Sequence, residues 1–296
     1  MEEIKIIAMD LDGTLLDSEK RLSEENRAAL EEAANKGIEI VPTTGRIYVI
    51  IPEAVRQLPF INYAITVNGA EVYDVKNDQV IATNELTWQK AVAVMEYLDG
   101  FDVVYDCYQG GWGYMTAAHL EKVGDYLTSD HFKALYAHSR KPVPELKNYL
   151  REKGEGVQKV QFCTKNGDLR AFLLEDLKTR FDGVAISTAL PYNGEINDVN
   201  GHKGGALVKL CDHLGCTMEN VMTLGDGLND ITMLQMAGVS VAMENAAPEV
   251  KAAAKSLAYA FFVFRFIVHF SSPKEYILLF DFMQRGRRRL HFQGVR

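Results

Sequence analysis

The sequence is poor in cysteine, which accounts for only 4 of its 296 residues. None of the four belongs to a CxxC pair, and Cys211 and Cys216 have no His or Cys partners at zinc-binding spacing. A disulfide framework and a zinc site are therefore disfavoured, and reduced thiols in a cytosolic protein are the simpler interpretation. The content of 47% hydrophobic and 24% charged residues is typical of a globular protein.

An excess of basic residues is also lacking, since the formal net charge is −8. This charge disfavours binding to the phosphate backbone of nucleic acids, although a few local cations and a metal still suit small phosphorylated molecules. The longest apolar run, residues 257–270, is shorter than a membrane-spanning helix and contains Arg265 and His269. The first residues are acidic and lead directly into a strand pattern, unlike a signal peptide. We therefore predict a cytoplasmic protein that binds neither nucleic acid nor membrane.

Strand and helix patterns alternate at both ends of the chain. Strands are predicted at residues 4–9, 38–41, 63–67, 221–224 and 239–242. Helices are predicted from the Ser23 cap to Lys36, after Arg46 until before Pro59, and at residues 207–214 and 231–236. This alternation predicts an α/β fold with a parallel sheet covered by helices.

The middle of the chain has a different texture, which mixes amphipathic helices with alternating strands. We predict a Rossmann-like parallel-sheet core formed by residues 1–83 and 195–254, with an α+β domain inserted at residues 84–194. Residues 255–296 form an anomalous tail, dense in phenylalanine and then in arginine. A shifted reading frame is one hypothesis for this tail, and a divergent C-terminal helix is the other.

Two carboxylates, Asp10 and Asp12, directly follow the first predicted strand. Ligands of open α/β sheets bind at the carboxyl ends of strands, and Gly13 allows the backbone to approach a ligand closely. Neighbouring carboxylates repel each other, and Mg²⁺, which binds carboxylate and phosphate oxygens, offsets that repulsion. One carboxylate can then attack phosphorus while the other protonates the leaving oxygen and activates water. A calcium-like loop or an ordinary acidic turn is the alternative interpretation.

Further polar motifs lie at strand ends or at a helix start. The residues concerned are Thr44, Gly45 and Arg46 after the second strand, Asn68 and Gly69 after the third, and Lys203 between glycines. A hydroxyl, free backbone N–H groups and a lysine at helix starts can hold a phosphate. Taken singly, these motifs also suit a helix cap, a turn and a solvated lysine.

A second acidic motif, Gly225-Asp226-Gly227-Leu228-Asn229-Asp230, follows the strand predicted at residues 221–224. A capped loop before the next helix is its structural alternative. Two acidic motifs at two strand ends of one sheet would meet in space, however. Together they predict a metal site that neither would form alone.

These motifs, in this order, resemble the four motifs of the haloacid dehalogenase-like superfamily. The Asn68-Gly69-Ala70 turn and the insert after it resemble the Cof-type branch, subclass IIB. The similarity covers about residues 4–251 and departs from the family at Glu244, where glycine is usual, and after about Lys255. The resemblance implies a core and cap domain, and an Mg²⁺-dependent phosphatase that hydrolyses small, sugar phosphate-like metabolites through a phospho-aspartyl intermediate.

The resemblance also implies residue roles. Asp10 would be the nucleophile and a metal ligand, and Asp12 the general acid/base with its backbone carbonyl on the metal. Thr44 and Lys203 would hold the phosphoryl group. Expected metal ligands are Asp10, Asp12, Asp226 and Asp230. Expected substrate contacts are Gly13, Gly45, Arg46, Asn68, Gly69 and Asn229.

Other functions are compatible with the same motifs. A phosphotransferase or mutase would use the same intermediate on Asp10 with a different acceptor, and a non-catalytic binding protein would keep the fold without turnover. A carbon–halogen hydrolase is disfavoured, because it needs neither Mg²⁺ nor the leaving-group acid Asp12. The chain is expected to be a monomer or a small homo-oligomer. The sequence pattern does not show which aromatic residues of the predicted insert, among them Tyr105, Tyr108, Trp112 and Tyr114, would contact the substrate.

Overall fold

The protein is described by a computed structural model that covers residues 3–126, 130–188 and 190–258. The strands are β1 (Ile6–Met9), β2 (Glu39–Pro42), β3 (Tyr63–Thr66), β4 (Glu71–Asp74), β5 (Gln79–Thr83), β6 (Val104–Gln109), β7 (Trp112–Thr116), β8 (Arg140–Val143), β9 (Lys159–Cys163), β10 (Val184–Ser187), β11 (Asn193–Asp198), β12 (Val221–Gly225), β13 (Val239–Met243) and β14 (Ser256–Ala258). The helices are α1 (Glu24–Asn35), α2 (Glu53–Arg56), α3 (Trp88–Leu98), α4 (Ala117–Val123), α5 (Asp130–Ser139), α6 (Leu146–Lys153), α7 (Gly167–Arg180), α8 (Lys203–Leu214), α9 (Ile231–Met236) and α10 (Pro248–Ala253).

The chain divides into two compact units. The first comprises the described residues of Met1–Pro42, Gln57–Asn62 and Gly215–Arg296, and the second comprises those of Thr43–Arg56 and Tyr63–Leu214. This division groups residues by their contacts in the folded chain. The predicted borders at 83/84 and 194/195 instead mark where the inserted domain is expected to begin and end in the sequence. Those domain borders stay a prediction.

A five-stranded parallel sheet forms the centre of the first unit, in the order β14-β13-β12-β1-β2. Strand β1 is buried along its whole length and lies between β12 and β2. Such burial on both faces is the usual setting of a parallel strand and explains the unbroken apolar run of β1. The predicted α/β class with a parallel sheet is confirmed.

Helix α1 shows why the predicted boundaries hold in this unit. The Ser23 hydroxyl accepts a hydrogen bond from Asn26 N–H at 3.1 Å and so satisfies one of the free donors at the helix start. The helix ends at the C-cap Lys36, and Gly37 has the positive φ of 85° expected after a helix. The predicted helix from Ser23 to Lys36 is confirmed.

The segment after Arg46 differs from its prediction. It contains a 3-10 turn at Tyr48–Ile50 and the short helix α2 instead of one continuous helix. Ile51 between them is extended, with φ −62° and ψ 133°. Pro52 explains the break, because a proline disfavours the helical conformation of the residue before it.

Strand β3 was predicted to belong to the parallel sheet, and the structure places it elsewhere. It belongs to the second unit and pairs antiparallel with β4 in the three-stranded sheet β3-β4-β5. One parallel bridge joins Ile65 of β3 to Thr43. A tight turn after β3 returns the chain alongside it, and such local pairing needs no long crossover.

A six-stranded sheet, in the order β10-β11-β9-β6-β7-β8, forms the larger part of the second unit. One face carries apolar side chains that pack in a core with helices α3, α6 and α7. Phe162 of β9 is fully buried in that core. Across the residues that the structure describes, no helix has the length and apolar character needed to cross a membrane.

The anomalous tail predicted at residues 255–296 lies mostly outside the described residues. Within the described part, β14 pairs in parallel with β13 at the edge of the five-stranded sheet.

Candidate active site

Three carboxylates meet at the carboxyl ends of two neighbouring strands in the first unit. Asp10 follows β1 and Asp226 follows β12, and these strands pair in parallel with Met9 opposite Leu224. Asp10 N–H donates to Leu224 O at 3.0 Å, which extends the pairing by one residue. One carboxylate oxygen each of Asp10, Asp226 and Asp230 lies within 4.8 Å of the others. The predicted meeting of the two acidic motifs is confirmed for these three residues.

Hydrogen bonds hold the two later carboxylates in place. Asp230 is fully buried, and its Oδ2 accepts from the N–H groups of Asp226 and Gly227 at 2.9 and 2.8 Å. Asp226 accepts from Thr14 Oγ1 at 2.7 Å and from Asn245 Nδ2 at 2.8 Å. Both carboxylates are thus oriented before any ligand binds.

The carboxylate cluster fits a divalent cation. Three carboxylates at this spacing repel one another, and Mg²⁺ is bound by such hard oxygen ligands. Gly13 makes the close packing possible: its φ is +95°, and a Cβ there would lie 2.3 Å from Asp226 Oδ2. Any side chain at this position would therefore displace Asp226.

Asp12 has a different environment from the three clustered carboxylates. Its Oδ1 lies 2.9 Å from Lys20 Nζ, and its side chain is half-buried. The carboxylate therefore lies beside a cation and next to solvent. Lys20 has the uncommon positive φ of 62°.

In the second unit, Thr44 begins a loop fixed by backbone hydrogen bonds. Its N–H donates to Ile65 O at 2.8 Å, and its carbonyl oxygen accepts from Asn68 N–H at 3.0 Å. Thr44 Oγ1 accepts from Arg46 N–H at 3.2 Å, and Arg46 Nη1 donates to Ile50 O at 3.0 Å. The buried Thr44 hydroxyl therefore has a defined position.

The turn after β3 is strained. Val67, Asn68 and Gly69 have φ values of 49°, 60° and 102°. A β-branched residue at positive φ is rare, and such outliers concentrate at functional sites. A Cβ on Gly45 would lie 2.7 Å from Asn68 Oδ1, so the Thr44 loop and this turn are packed closely.

Lys203 is the first residue of α8 and is fully buried. The turn lies against it, because a Cβ on Gly69 would come within 2.8 Å of Lys203 N. Burial lowers the pKa of the neighbouring His202, and its Nδ1 accepts from Gly205 N–H at 3.0 Å. His202 therefore caps the start of α8.

Most of the predicted residues thus fall into two groups. In the first unit, Asp10, Asp226 and Asp230 form the carboxylate cluster, and Gly13 packs against it. Thr44, Gly45, Arg46, Asn68, Gly69 and Lys203 form the loop, turn and helix start of the second. Asn229 is exposed on the 3-10 turn Leu228–Asp230.

A family model described as haloacid dehalogenase-like hydrolase matches residues 7–259. The chain belongs to this family. The predicted membership, including the Cof-type branch, is confirmed.

Relatives of this family resemble the chain over most of its length. YcsE of Bacillus subtilis, named 5-amino-6-(5-phospho-D-ribitylamino)uracil phosphatase, is 33% identical over 253 residues, covering 84% of this chain and 87% of the relative. YbhA of Escherichia coli, named pyridoxal phosphate phosphatase, is 28% identical over 255 residues, covering 84% of this chain and 91% of the relative.

Solved structures of the family share the fold. A haloacid dehalogenase-like hydrolase from B. subtilis superposes with a TM-score of 0.75 at 22% identity, over 90% of this chain and 99% of that one. A subclass IIB sugar phosphatase gives a TM-score of 0.73 at 21% identity, over 90% and 98%. At these identities the likeness concerns the fold alone.

Several side chains around the family motifs were not found from the sequence. Asn245 holds Asp226 and also donates to Gly13 O at 3.1 Å. It follows β13, a strand next to β12, so the strand-end argument applied to Asp226 also applies to it. Glu195 accepts from Asn68 Nδ2 at 3.0 Å, and no sequence pattern marks that contact.

Glu71 supports the turn from the second unit's interior and gives a test of its stability. Its carboxylate accepts from Thr66 Oγ1 at 2.8 Å and from Gln158 Nε2 at 2.5 Å. Burial raises the pKa of Glu71 above 4.5, and the two hydrogen bonds oppose that rise. The folded state therefore binds this proton more tightly than the unfolded state does.

We expect the stability that Glu71 contributes to be present below pH 4.5 and to be lost as the pH rises through its folded-state pKa. Glu71→Gln removes this loss, so the melting temperature of the variant minus that of the wild type should increase from pH 5 to pH 8. Thermal denaturation followed by circular dichroism measures the difference. Glu121→Gln, at an exposed position of α4, is the control. A difference that falls or stays flat with pH would contradict the assignment.

Proposed function

We propose that this chain is an Mg²⁺-dependent phosphatase that hydrolyses small phosphorylated metabolites through a phospho-aspartyl intermediate on Asp10. The observation that carries the proposal is the position of Asp10, at the end of a buried central strand and within 4.8 Å of two further carboxylates. A carboxylate in such a site can act as a nucleophile towards phosphorus. The enzyme class predicted from the sequence, a phosphoric monoester hydrolase, is confirmed by the family and by the phosphatase names of its relatives.

The proposed reaction has two steps. In the first, an Asp10 oxygen attacks phosphorus, the bond from phosphorus to the leaving oxygen breaks, and Asp12 gives its proton to that oxygen. In the second, Asp12 takes a proton from water as the water oxygen attacks phosphorus. The bond between phosphorus and Asp10 then breaks, which releases inorganic phosphate and restores both carboxyl groups.

The other predicted residues are assigned to binding. Thr44 and Lys203 would bind the phosphoryl oxygens, since a defined hydroxyl and a cation at a helix start suit an anion. Asp10, Asp226 and Asp230 would hold Mg²⁺ with the Asp12 carbonyl, and the ion would supply charge neutralisation for a phosphoryl oxygen. The remaining residues would contact the bound substrate: Gly13, Gly45, Arg46, Asn68, Gly69 and Asn229.

The substrate class rests on the relatives. Those compared above are named for 5-amino-6-(5-phospho-D-ribitylamino)uracil and for pyridoxal phosphate, which are small phosphorylated metabolites. We propose the same broad class for this chain, in a cytoplasmic location and as a monomer or small homo-oligomer.

Phosphate release tests the function. We expect release from a panel of sugar phosphates and p-nitrophenyl phosphate with Mg²⁺, and a rate at least about 100-fold lower after EDTA, because the carboxylate cluster then lacks its counter-charge. Adding Mg²⁺ back in excess should restore the rate. A folded protein that releases no phosphate from any member would contradict the proposal, and full activity in EDTA would contradict the metal.

A further inference from the structure

The six-stranded sheet of the second unit has two unlike faces. Side chains alternate along β6 and β9, so that Cys107 and Phe162 point into the apolar core while their neighbours point to the other face. That other face carries polar residues that are all buried. They are Asp106, Tyr108, Lys159, Gln161, Glu195 and Asn197. A buried polar sheet face needs an explanation, because polar groups lose water when they are buried.

Two buried ion pairs occupy this face. We call their residues and the two tyrosines beside Arg140 the polar cluster, which comprises Asp106, Tyr108, Tyr136, Arg140, Lys159 and Glu195. Arg140 Nε donates to Asp106 Oδ2 at 3.0 Å, and both side chains are almost fully buried. The Arg140 guanidinium lies over the rings of Tyr108 and Tyr136, at 4.6 and 4.1 Å from their centres. Lys159 Nζ donates to Glu195 Oε1 at 2.8 Å.

One oxygen of the polar cluster lacks a partner. Asp106 is 1% exposed, and its Oδ1 has no hydrogen-bond partner within residues 3–126, 130–188 and 190–258. Burial raises the pKa of Asp106, and Arg140 and Lys159 oppose that rise. A buried acceptor left without a donor is costly, and it is uncommon in folded proteins.

Contacts within the second unit connect the polar cluster to the proposed phosphate-binding residues. Glu195 accepts from Lys159 on one oxygen and from Asn68 Nδ2 on the other, at 2.8 and 3.0 Å. Gly69, next to Asn68, lies against Lys203. A phosphate ester held at Asn68 and Lys203 would therefore have its organic part beside this sheet face.

The geometry points to Asp106 as a specificity-determining residue that accepts a hydrogen bond from a hydroxyl group in the organic part of the substrate. That part would be uncharged and rich in hydroxyls, as in a sugar or alditol. Both cations and both carboxylates of the polar cluster are already paired with each other, so a second phosphate or an amine would gain no free counter-charge. The free oxygen Oδ1 needs a donor, and a hydroxyl supplies one without adding charge. This inference rests on the proposed function.

Asp106→Asn tests it, because the amide keeps the size of the side chain and replaces an acceptor by a donor. We compare kcat/KM for ribose 5-phosphate and glucose 6-phosphate, for their 2-deoxy analogues, and for p-nitrophenyl phosphate, which has no hydroxyl. The variant should lose roughly 10- to 100-fold on the hydroxylated substrates, the range expected for a hydrogen bond to a charged group. Its kcat/KM for p-nitrophenyl phosphate should change less than about 3-fold, a change too small to reflect a lost hydrogen bond of that kind.

Asp102→Asn makes the same chemical change at an exposed position of the same unit and should match the wild type. Equal losses on all substrates by a folded Asp106→Asn protein would show a structural role and overturn the inference. If that variant does not fold, the wild type decides. Its kcat/KM must be higher for the hydroxylated esters than for p-nitrophenyl phosphate, and higher for one hydroxylated ester than for its deoxy analogue by about 10-fold. A wild type that turns over p-nitrophenyl phosphate without such preferences overturns the inference alone, whereas one inert on every ester overturns the proposed function.

Discussion

Asp10→Asn is expected to lower kcat for phosphate release by at least about 10³-fold, as the loss of an essential nucleophile does in other enzymes. The amide has nearly the shape of the carboxylate but is not nucleophilic, so the first bond to phosphorus does not form. The backbone N–H of Asp10 still donates to Leu224 O, and the strand β1 keeps its pairing. The fold should therefore survive while the reaction stops.

The measurement is steady-state phosphate release with Mg²⁺, together with circular dichroism to confirm folding. Glu31→Gln, which removes one charge at an exposed position of α1, serves as the control and should retain wild-type activity. Rapid mixing of the wild type with p-nitrophenyl phosphate should show a burst of nitrophenol if the phospho-enzyme accumulates. A folded Asp10→Asn protein with more than a tenth of wild-type activity would place the nucleophile elsewhere.

Gly13→Ala is expected to lower kcat/KM by at least about 100-fold, because small displacements of reacting groups have costs of this size. The new methyl group would lie 2.3 Å from Asp226 Oδ2, so that carboxylate must move away from Asp10 and Asp230. Affinity for Mg²⁺ should fall as well, since one of the clustered carboxylates is displaced. Activity measured as a function of Mg²⁺ concentration reports both effects.

Gly37→Ala supplies a matched control for the backbone. Its φ is +85°, close to the +95° of Gly13, and nothing lies within 4 Å of the new methyl group. Both variants place alanine at positive φ and share that backbone cost, to which Gly13→Ala adds the displacement of Asp226. Only Gly13→Ala should lower kcat/KM, whereas folded Gly37→Ala should retain wild-type activity. Equal activities in the two variants would show that Gly13 is not needed for the carboxylate cluster.

The part of the site that follows from strand ends was predictable. Asp10 and Asp226 come directly after apolar runs, and parallel strands end at the same edge of a sheet. That simple geometry predicted the meeting of the two acidic motifs without knowledge of any distance. It also applied to Thr44, which lies just beyond β2.

Contacts that depend on the pairing register of strands far apart in the sequence were not predictable. The aromatic residues of the insert show this, because only strand pairing decides which face they occupy. Tyr105 lies in the apolar core, whereas Tyr108 lies in the polar cluster beneath Arg140. Tyr114 stacks on Tyr149, and Trp112 lies under Lys141. Most of these aromatics thus pack against other side chains of the second unit, which only the fold could show.

The pairing of strand β3 is another feature that the sequence did not predict. Strand β3 was assigned to the parallel sheet from its apolar pattern, which is the same for either partner. The turn at residues 67–69 places β4 antiparallel beside β3, and it has three consecutive positive φ values, which a β-branched valine rarely adopts. The asparagine-glycine signal predicted a turn there but not the pairing that follows from it.

The two ion pairs of the polar cluster constrain how this family member can diverge. Removing one partner of a buried pair leaves an uncompensated charge and costs about 3–5 kcal/mol, whereas exchanging both partners together is often neutral. Arg140 and Asp106 should consequently be inherited as a unit, and so should Lys159 and Glu195. A lineage that acquires a new substrate through this face must pass through coupled substitutions, while the opposite, apolar face can stay as it is.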